Sequence, residues 1–220
     1  MKVITTAEET NTAITTMCDV AKGNGFSLDA EWNVTKNRYG HVMNAGKVAL
    51  IQISYIKGND KMTTLLIRTH HMTRLPFKLE WLLVKSTFKI VGVNVSADLI
   101  KIGKDFNIDA IKQVTQKDRC NVINLGTFAR ERGVVTSGTA SLQQLSERVL
   151  KARLNKATCI RLSHWDKNQL SVEQVEYAAL DAIASLKIFF KLDEMPDLTR
   201  RYTMDDVSVG DTVPYLYVSS

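Results

Sequence analysis

The chain is poor in the residues that would signal several common protein classes. Only three of its 220 residues are cysteine. Cys18, Cys120 and Cys159 are odd in number and far apart, so neither a disulfide framework nor a CxxC metal knuckle can be read from them. Free thiols in a reducing, intracellular compartment are expected instead. Prolines are equally scarce, and no linker is apparent before Pro196; no repeat or low-complexity segment appears either. The longest apolar stretches, 48–56 and 178–190, are interrupted by Gln52, Ser54, Asp181 and Lys187. Neither can span a bilayer, and no membrane partner is expected. The N-terminus, Met1-Lys2-Val3-Ile4-Thr5-Thr6, turns polar at once and has no hydrophobic signal core. The sequons at Asn33 and Asn94 therefore read as chance matches. Gly23-Asn24-Gly25 lacks the Lys-Ser/Thr of a phosphate loop. His41, His70, His71 and His164 form no metal pattern, and no Ser-His-Asp or Cys-His arrangement emerges.

What is present suits a folded α/β protein. Hydrophobic residues make up 45% of the chain and charged residues 24%, enough for a substantial core and an ordinary surface. A formal charge of +6 is compatible with a polyanionic partner. Thr6 and Glu9 stand at capping-box spacing before a helix over 7–22, which Gly23-Asn24-Gly25 should stop and turn. Strands are expected over 26–32, 47–55 and 63–68, the middle one central because 48–53 is almost continuously apolar. The connection 33–46 is polar and should be exposed. A helix over 76–85 begins with Pro76, and a fourth strand follows over 88–93. Helices are expected over 96–106, 121–132 and 141–150. The stretch 151–168 reads as basic and irregular. Ser171, with Gln174 at the box position, opens a long helix to about residue 192. Short connections make the first strands antiparallel, and helical crossovers add parallel ones, giving a mixed central sheet flanked by helices.

The most informative local feature is Asp29-Ala30-Glu31 at the end of an apolar strand. Strand alternation puts both carboxylates on one side, about 7 Å apart along the chain. Desolvation and repulsion then oppose ionisation, and a hard divalent cation such as magnesium or manganese relieves both. Alone, such a pair can equally be a strand end entering solvent. Asp98 lies in the first turn expected after the fourth strand, an ordinary place for a helix-dipole acid. Asp181 is different. It sits mid-helix in Tyr177-Ala178-Ala179-Leu180-Asp181-Ala182, and an acid on an alanine-rich face needs a partner. Tyr177 shares that face, separated by about 6 Å of helix rise.

Asp29-x-Glu31, Asn94-x-x-x-Asp98 and Tyr177-x-x-x-Asp181, in that order, resemble the motifs of the DEDD exonuclease superfamily in its tyrosine-containing, DEDDy branch. The resemblance covers roughly residues 7–192. The flanking blocks Leu28-Asp29-Ala30-Glu31-Trp32, 46–53, Ile160-Arg161-Leu162-Ser163-His164-Trp165 and 170–182 look like the Werner syndrome exonuclease group. Asn94, where that group commonly has glycine, looks more like ribonuclease D. The resemblance implies a ribonuclease H-like fold over 1–192 with a C-terminal tail over 193–220. It also favours a nuclear location, with the cytoplasm as the alternative.

By the same resemblance, Asp29, Glu31, Asp98 and Asp181 would hold two divalent cations, Mg2+ or Mn2+, beside the scissile phosphate. Asp29 would bridge them, Glu31 and Asp181 would serve the cation carrying the attacking water, and Asp98 would serve the other. Tyr177 would orient that water, since a phenol with a pKa near 10 is a poor base. The expected activity is 3'–5' hydrolysis of DNA to nucleoside 5'-monophosphates. RNA trimming by the same fold and an inactive nucleic-acid-binding module are the alternatives. Leu28, Ala30, Trp32 and Met43 lie near the first motif and are candidates to contact the last base, Trp32 being as suited to the core. Asn94 belongs to the second motif and is a further candidate contact. Lys101, Lys104, Arg148, Lys151, Arg153, Lys156 and Arg161 are candidates for strand phosphates.

Overall fold

In the computed structural model, which describes residues 1–39, 41–58, 61–115, 121–154 and 158–199, a short strand β1 (Lys2–Ile4) precedes helix α1 (Ala7–Val20). Thr6 caps α1 as its spacing predicts: its hydroxyl accepts the Glu9 N–H at 3.2 Å. The helix then ends at Val20, and Gly23-Asn24-Gly25 does not turn the chain. These residues lie inside a long strand, β2 (Ala21–Lys36), where the pairing register slips between Lys22 and Phe26. Two flexible glycines absorb that irregularity.

The next strands are β3 (Val42–Lys57) and β4 (Lys61–Arg68). Both β2 and β3 reach well into the stretch 33–46, which is a hairpin arm rather than a loop. Helix α2 (Phe77–Val84) starts after Pro76, and β5 (Lys89–Gly92) leads into α3 (Val95–Asp105). Then come α4 (Ala110–Val114), β6 (Val122–Asn124), α5 (Leu125–Glu131) and α6 (Leu142–Leu145), the last continued by a π-helical turn over Ser146–Leu150. A one-turn helix α7 (Thr158–Arg161) interrupts the basic stretch, and α8 (Val172–Asp193) closes the domain. Cys120, Lys156 and residues 200–220 of the expected tail lie outside the described residues.

The sheet has the order β1-β4-β3-β2-β5-β6. As the short connections require, β2, β3 and β4 pair antiparallel, while β1, β5 and β6 add parallel to their neighbours. One sheet face rests on α1, α2 and α3 through Phe26, Leu28, Ile51, Ile53 and Ile67. The other face is covered by α8, with Leu50 and Leu66 against Trp165 and Ala178. Burial on both faces explains the near-continuous apolar run of β3.

Arg68, only 2% exposed, fixes the segment that leads into α8. Its guanidinium donates to the carbonyls of Trp165 (3.5 Å), Lys167 and Asn168 (3.4 Å). Asn33 adds a second clamp by accepting the Trp165 N–H at 2.7 Å. Replacing Arg68 by alanine strands those carbonyls. We expect a stability loss of about 3 kcal/mol, read from urea unfolding, because a hydrogen bond to a charged donor contributes roughly 1.5–3 kcal/mol. A loss within the ordinary surface range of about 0.5 kcal/mol would remove Arg68 as the anchor.

Candidate active site

Three elements carry the acids: β2 and α8 bring Asp29, Glu31 and Asp181 to one cleft, and α3 carries Asp98, which is not among the cleft-lining residues. Alternation along β2 sends Phe26, Leu28 and Ala30 to the buried side, and Ser27, Asp29 and Glu31 to the side under α8. The Ser27 hydroxyl donates to the Ala182 carbonyl at 2.7 Å, in a buried contact that pins β2 to α8 next to Asp181. Helix α8 is started by a complete capping box: the Ser171 side chain accepts the Gln174 N–H, and the Gln174 side chain accepts the Ser171 N–H at 3.0 Å. One turn separates Tyr177 from Asp181, and the phenol donates a hydrogen bond to that carboxylate.

Asp98 comes from the first turn of α3. The chain reaches α3 from β5 by a close approach to β2: a Cβ at Gly92 would stand 2.6 Å from the Leu28 carbonyl oxygen. Asn94 then turns the chain in the left-handed region, at φ 58°, a conformation that glycine and asparagine adopt most readily.

Burial and mutual charge shift these carboxyls in the direction expected of neighbouring acids. Burial, first, and then the charges of Asp29, Asp181 and Asp98 push the Glu31 carboxyl well above its ordinary value, while Arg161 pulls it down. Asp98, 7% exposed, is pushed up to about 9 by burial and by the charge of Asp29. The Tyr177 hydroxyl is raised by burial, then by Asp181 and Glu31, so it stays protonated at any working pH. Asp29, Glu31, Tyr177 and Asp181 face a cleft of about 410 Å³, a size in the ordinary range for ligand sites.

Among the described residues, no three Asp, Glu, His or Cys side chains are gathered closely enough to hold a metal ion as they stand. The donor set still fits a hard divalent cation: it is all oxygen, anionic and partly desolvated.

A family model described as 3'-5' exonuclease matches residues 1–197 of this chain. The chain belongs to the 3'-5' exonuclease family. A 3'-5' exonuclease of Arabidopsis thaliana is 30% identical over 172 residues, which cover 77% of this chain and 53% of that protein. The chain spans about half the length of the curated relatives it matches. Among solved structures, the Trypanosoma brucei RNase D complex with RNA U12 matches 90% of this chain and 64% of that one, with a TM-score of 0.68 at 16% identity. Brucella melitensis NrnC with bound Mg2+ matches 81% of this chain and 76% of that one, with a TM-score of 0.58 at 18% identity. At such identities the two structures show a shared ribonuclease H-like exonuclease fold.

Not every residue expected to touch nucleic acid is available in this chain. Leu28 is 1% exposed in the core, on the face opposite Asp29. Lys101 is held by the Gly46 carbonyl at 2.7 Å and the Asp105 carboxylate at 2.5 Å, with its ammonium 5.4 Å from the Trp32 ring centroid. Its ammonium is thus engaged within the protein. Arg148 donates to the Val134 carbonyl at 3.2 Å and lines a separate hollow beside Thr136 and Gln144. Arg153 is an exposed ion-pair partner of Glu147, and Lys104 is exposed on α3 away from the residues that line the cleft. Asn94 is exposed, and its conformation accounts for it without a ligand. Ala30, Trp32 and Arg161 do line the cleft, Trp32 being half-buried against the core as well.

Val34, Val42, Val93, Leu142, Leu162 and Ser185 also line it, and the sequence did not single them out. Ser185 was the most accessible to reasoning, standing four residues after Asp181 on the same helical face. Gln52, the polar interruption noted in the apolar run, sits opposite Asp29 in the β2–β3 register, fully buried, with neither amide atom hydrogen-bonded.

Proposed function

We propose that this chain is the catalytic domain of a divalent-metal-dependent exonuclease that removes nucleotides from the 3' end of DNA as nucleoside 5'-monophosphates. The observation that carries the reading is one cleft lined by Asp29 and Glu31 from β2 together with Tyr177 and Asp181 from α8. A pocket so anionic attracts a phosphodiester only when cations offset it.

Asp29, Glu31, Asp98 and Asp181 would hold Mg2+ or Mn2+, two ions by the family pattern. Such ions supply charge neutralisation at the phosphate and acidify a bound water. The remaining work falls to this chain. Tyr177, kept protonated, presents a hydroxyl that orients water beside Asp181 and does not serve as a base at neutral pH. Arg161, exposed at the cleft, offers a guanidinium to a phosphate oxygen. Trp32, Val34 and Leu142 give the terminal base a largely apolar, sequence-tolerant wall.

RNA trimming is the second reading, favoured by the likeness in fold to the Trypanosoma brucei RNase D complex with RNA U12. Matched 5'-labelled DNA and RNA strands, single-stranded and recessed, incubated with Mg2+ or Mn2+, decide between them. Faster shortening of DNA in one-nucleotide steps from the 3' end is expected. Preference for RNA selects the second reading, and binding of both without cleavage in either metal means an inactive module.

A further inference from the structure

Strands β2 and β3 run on past the sheet. Arg68, the last residue of β4, pairs with Leu50, and β5 pairs with β2 only at residues 25–27. Beyond that level β2 and β3 pair with each other, Val34 with Ala45, Thr35 with Asn44 and Lys36 with Val42. A two-stranded ribbon standing out from a domain is marginal by itself, so its tip needs an internal tie. Asn37 provides one: its side-chain oxygen accepts the N–H groups of Tyr39 at 2.9 Å and His41 at 3.0 Å, and its own N–H donates to the His41 carbonyl at 2.9 Å.

The ordered tip displays a specific chemistry. Tyr39 is 68% exposed and Met43 67% exposed. The Arg38 guanidinium lies 4.7 Å from the centre of the Tyr39 ring, and His41 stands beside that ring at 6.5 Å. No Asp or Glu occurs between Glu31 and Asp60, so the whole arm is free of negative charge. Trp32 and Val34 line the cleft along β2, and Val42, which pairs with Lys36 next to the turn, lines it close to the tip. The arm is thus continuous with the cleft and changes along its length from apolar to cationic and aromatic.

We infer that the β2–β3 arm is a docking surface for the substrate strand, with Arg38 and Tyr39 holding nucleotides upstream of the 3' terminus in the cleft. The inference rests on the nuclease reading above. Strand β2 ends at Lys36, whose partner Val42 lines the cleft, and Arg38 and Tyr39 follow in the turn, so the tip adjoins the cleft and is placed for the nucleotides next to the 3' terminal one. A guanidinium beside an exposed ring is the pairing that grips phosphate and stacks on any base, so the contact is independent of sequence.

The test compares wild type with Arg38→Ala/Tyr39→Ala on a dinucleotide and on a single-stranded 12-mer, and measures 12-mer binding by fluorescence anisotropy without divalent metal across a salt series. The double variant is expected to bind the 12-mer about tenfold more weakly, with a salt slope shallower by about one. Its KM for the 12-mer rises by a similar factor, while dinucleotide hydrolysis keeps the wild-type rate. Unchanged 12-mer affinity overturns the inference, as does equal loss on the dinucleotide. Tyr39→Phe with Arg38→Lys, which keeps ring and charge, should restore most of the affinity; failure to do so also counts against it. If wild type binds the 12-mer in the arm-dependent way yet cleaves nothing, the nuclease reading fails and the arm stands.

Discussion

Asp29→Asn should abolish 3'-end hydrolysis, by about three orders of magnitude or more, and leave the fold intact. The reasoning is electrostatic. Asp29 is the carboxylate whose charge reaches both Glu31 and Asp98, so its loss removes a shared donor from the centre of the proposed cation site. A thousandfold loss corresponds to about 4 kcal/mol of transition-state stabilisation, the scale at which a single electrostatic contact commonly operates. Asparagine keeps the size of the side chain, and β2 remains pinned by Ser27 and its neighbours. Metal-free Asp29→Asn is expected to unfold at the same or a higher temperature than wild type, because one source of repulsion is gone. Inactive and equally stable protein separates a functional acid from a structural one. Wild-type rates of 5'-labelled strand shortening in Mg2+ or Mn2+ would remove Asp29 from the chemistry.

The three acidic motifs were legible because their spacing is local: alternation fixes Asp29 with Glu31, and one helical turn fixes Tyr177 with Asp181. The antiparallel run and its parallel additions followed from connection length for the same reason. Legibility failed where distant partners decide. Lys101 reads as a free cation until Gly46 and Asp105 are seen to hold it. Leu28 reads as a neighbour of the site, although alternation alone already sends it to the opposite face from Asp29. Gly23-Asn24-Gly25 has the composition of a turn, and it marks an interruption of the β2–β3 register inside one strand instead of the strand's start. The arm carries Asn33, Asn44 and Gly46 in its strands and Asn37 at its tip, so composition argued for a loop. The tie from Asn37 depends on the turn already being formed, and nothing local announces it.

Asp98 should make the stability of the metal-free protein fall as pH rises, and a divalent cation should reverse the trend. Its folded value, pushed up to about 9, lies above the unfolded carboxyl value of 3.8. Below 3.8 both states hold the proton and the group is neutral in its effect. Between 3.8 and 9 the unfolded chain releases a proton that the folded chain retains, so stability falls as pH rises through this window. Above 9 the cost levels off, the buried carboxylate now being charged beside Asp29. Thermal unfolding of metal-free wild type and Asp98→Asn from pH 5 to 9 should therefore diverge steadily, with the asparagine variant the more stable at high pH. Mg2+ or Mn2+ binds the deprotonated form and releases protons, so the metal-induced rise in melting temperature of wild type should grow with pH. Asp98→Asn should lose most of that growth. Parallel pH profiles for the two proteins, with or without cation, would mean that Asp98 takes no part in a shared anionic site.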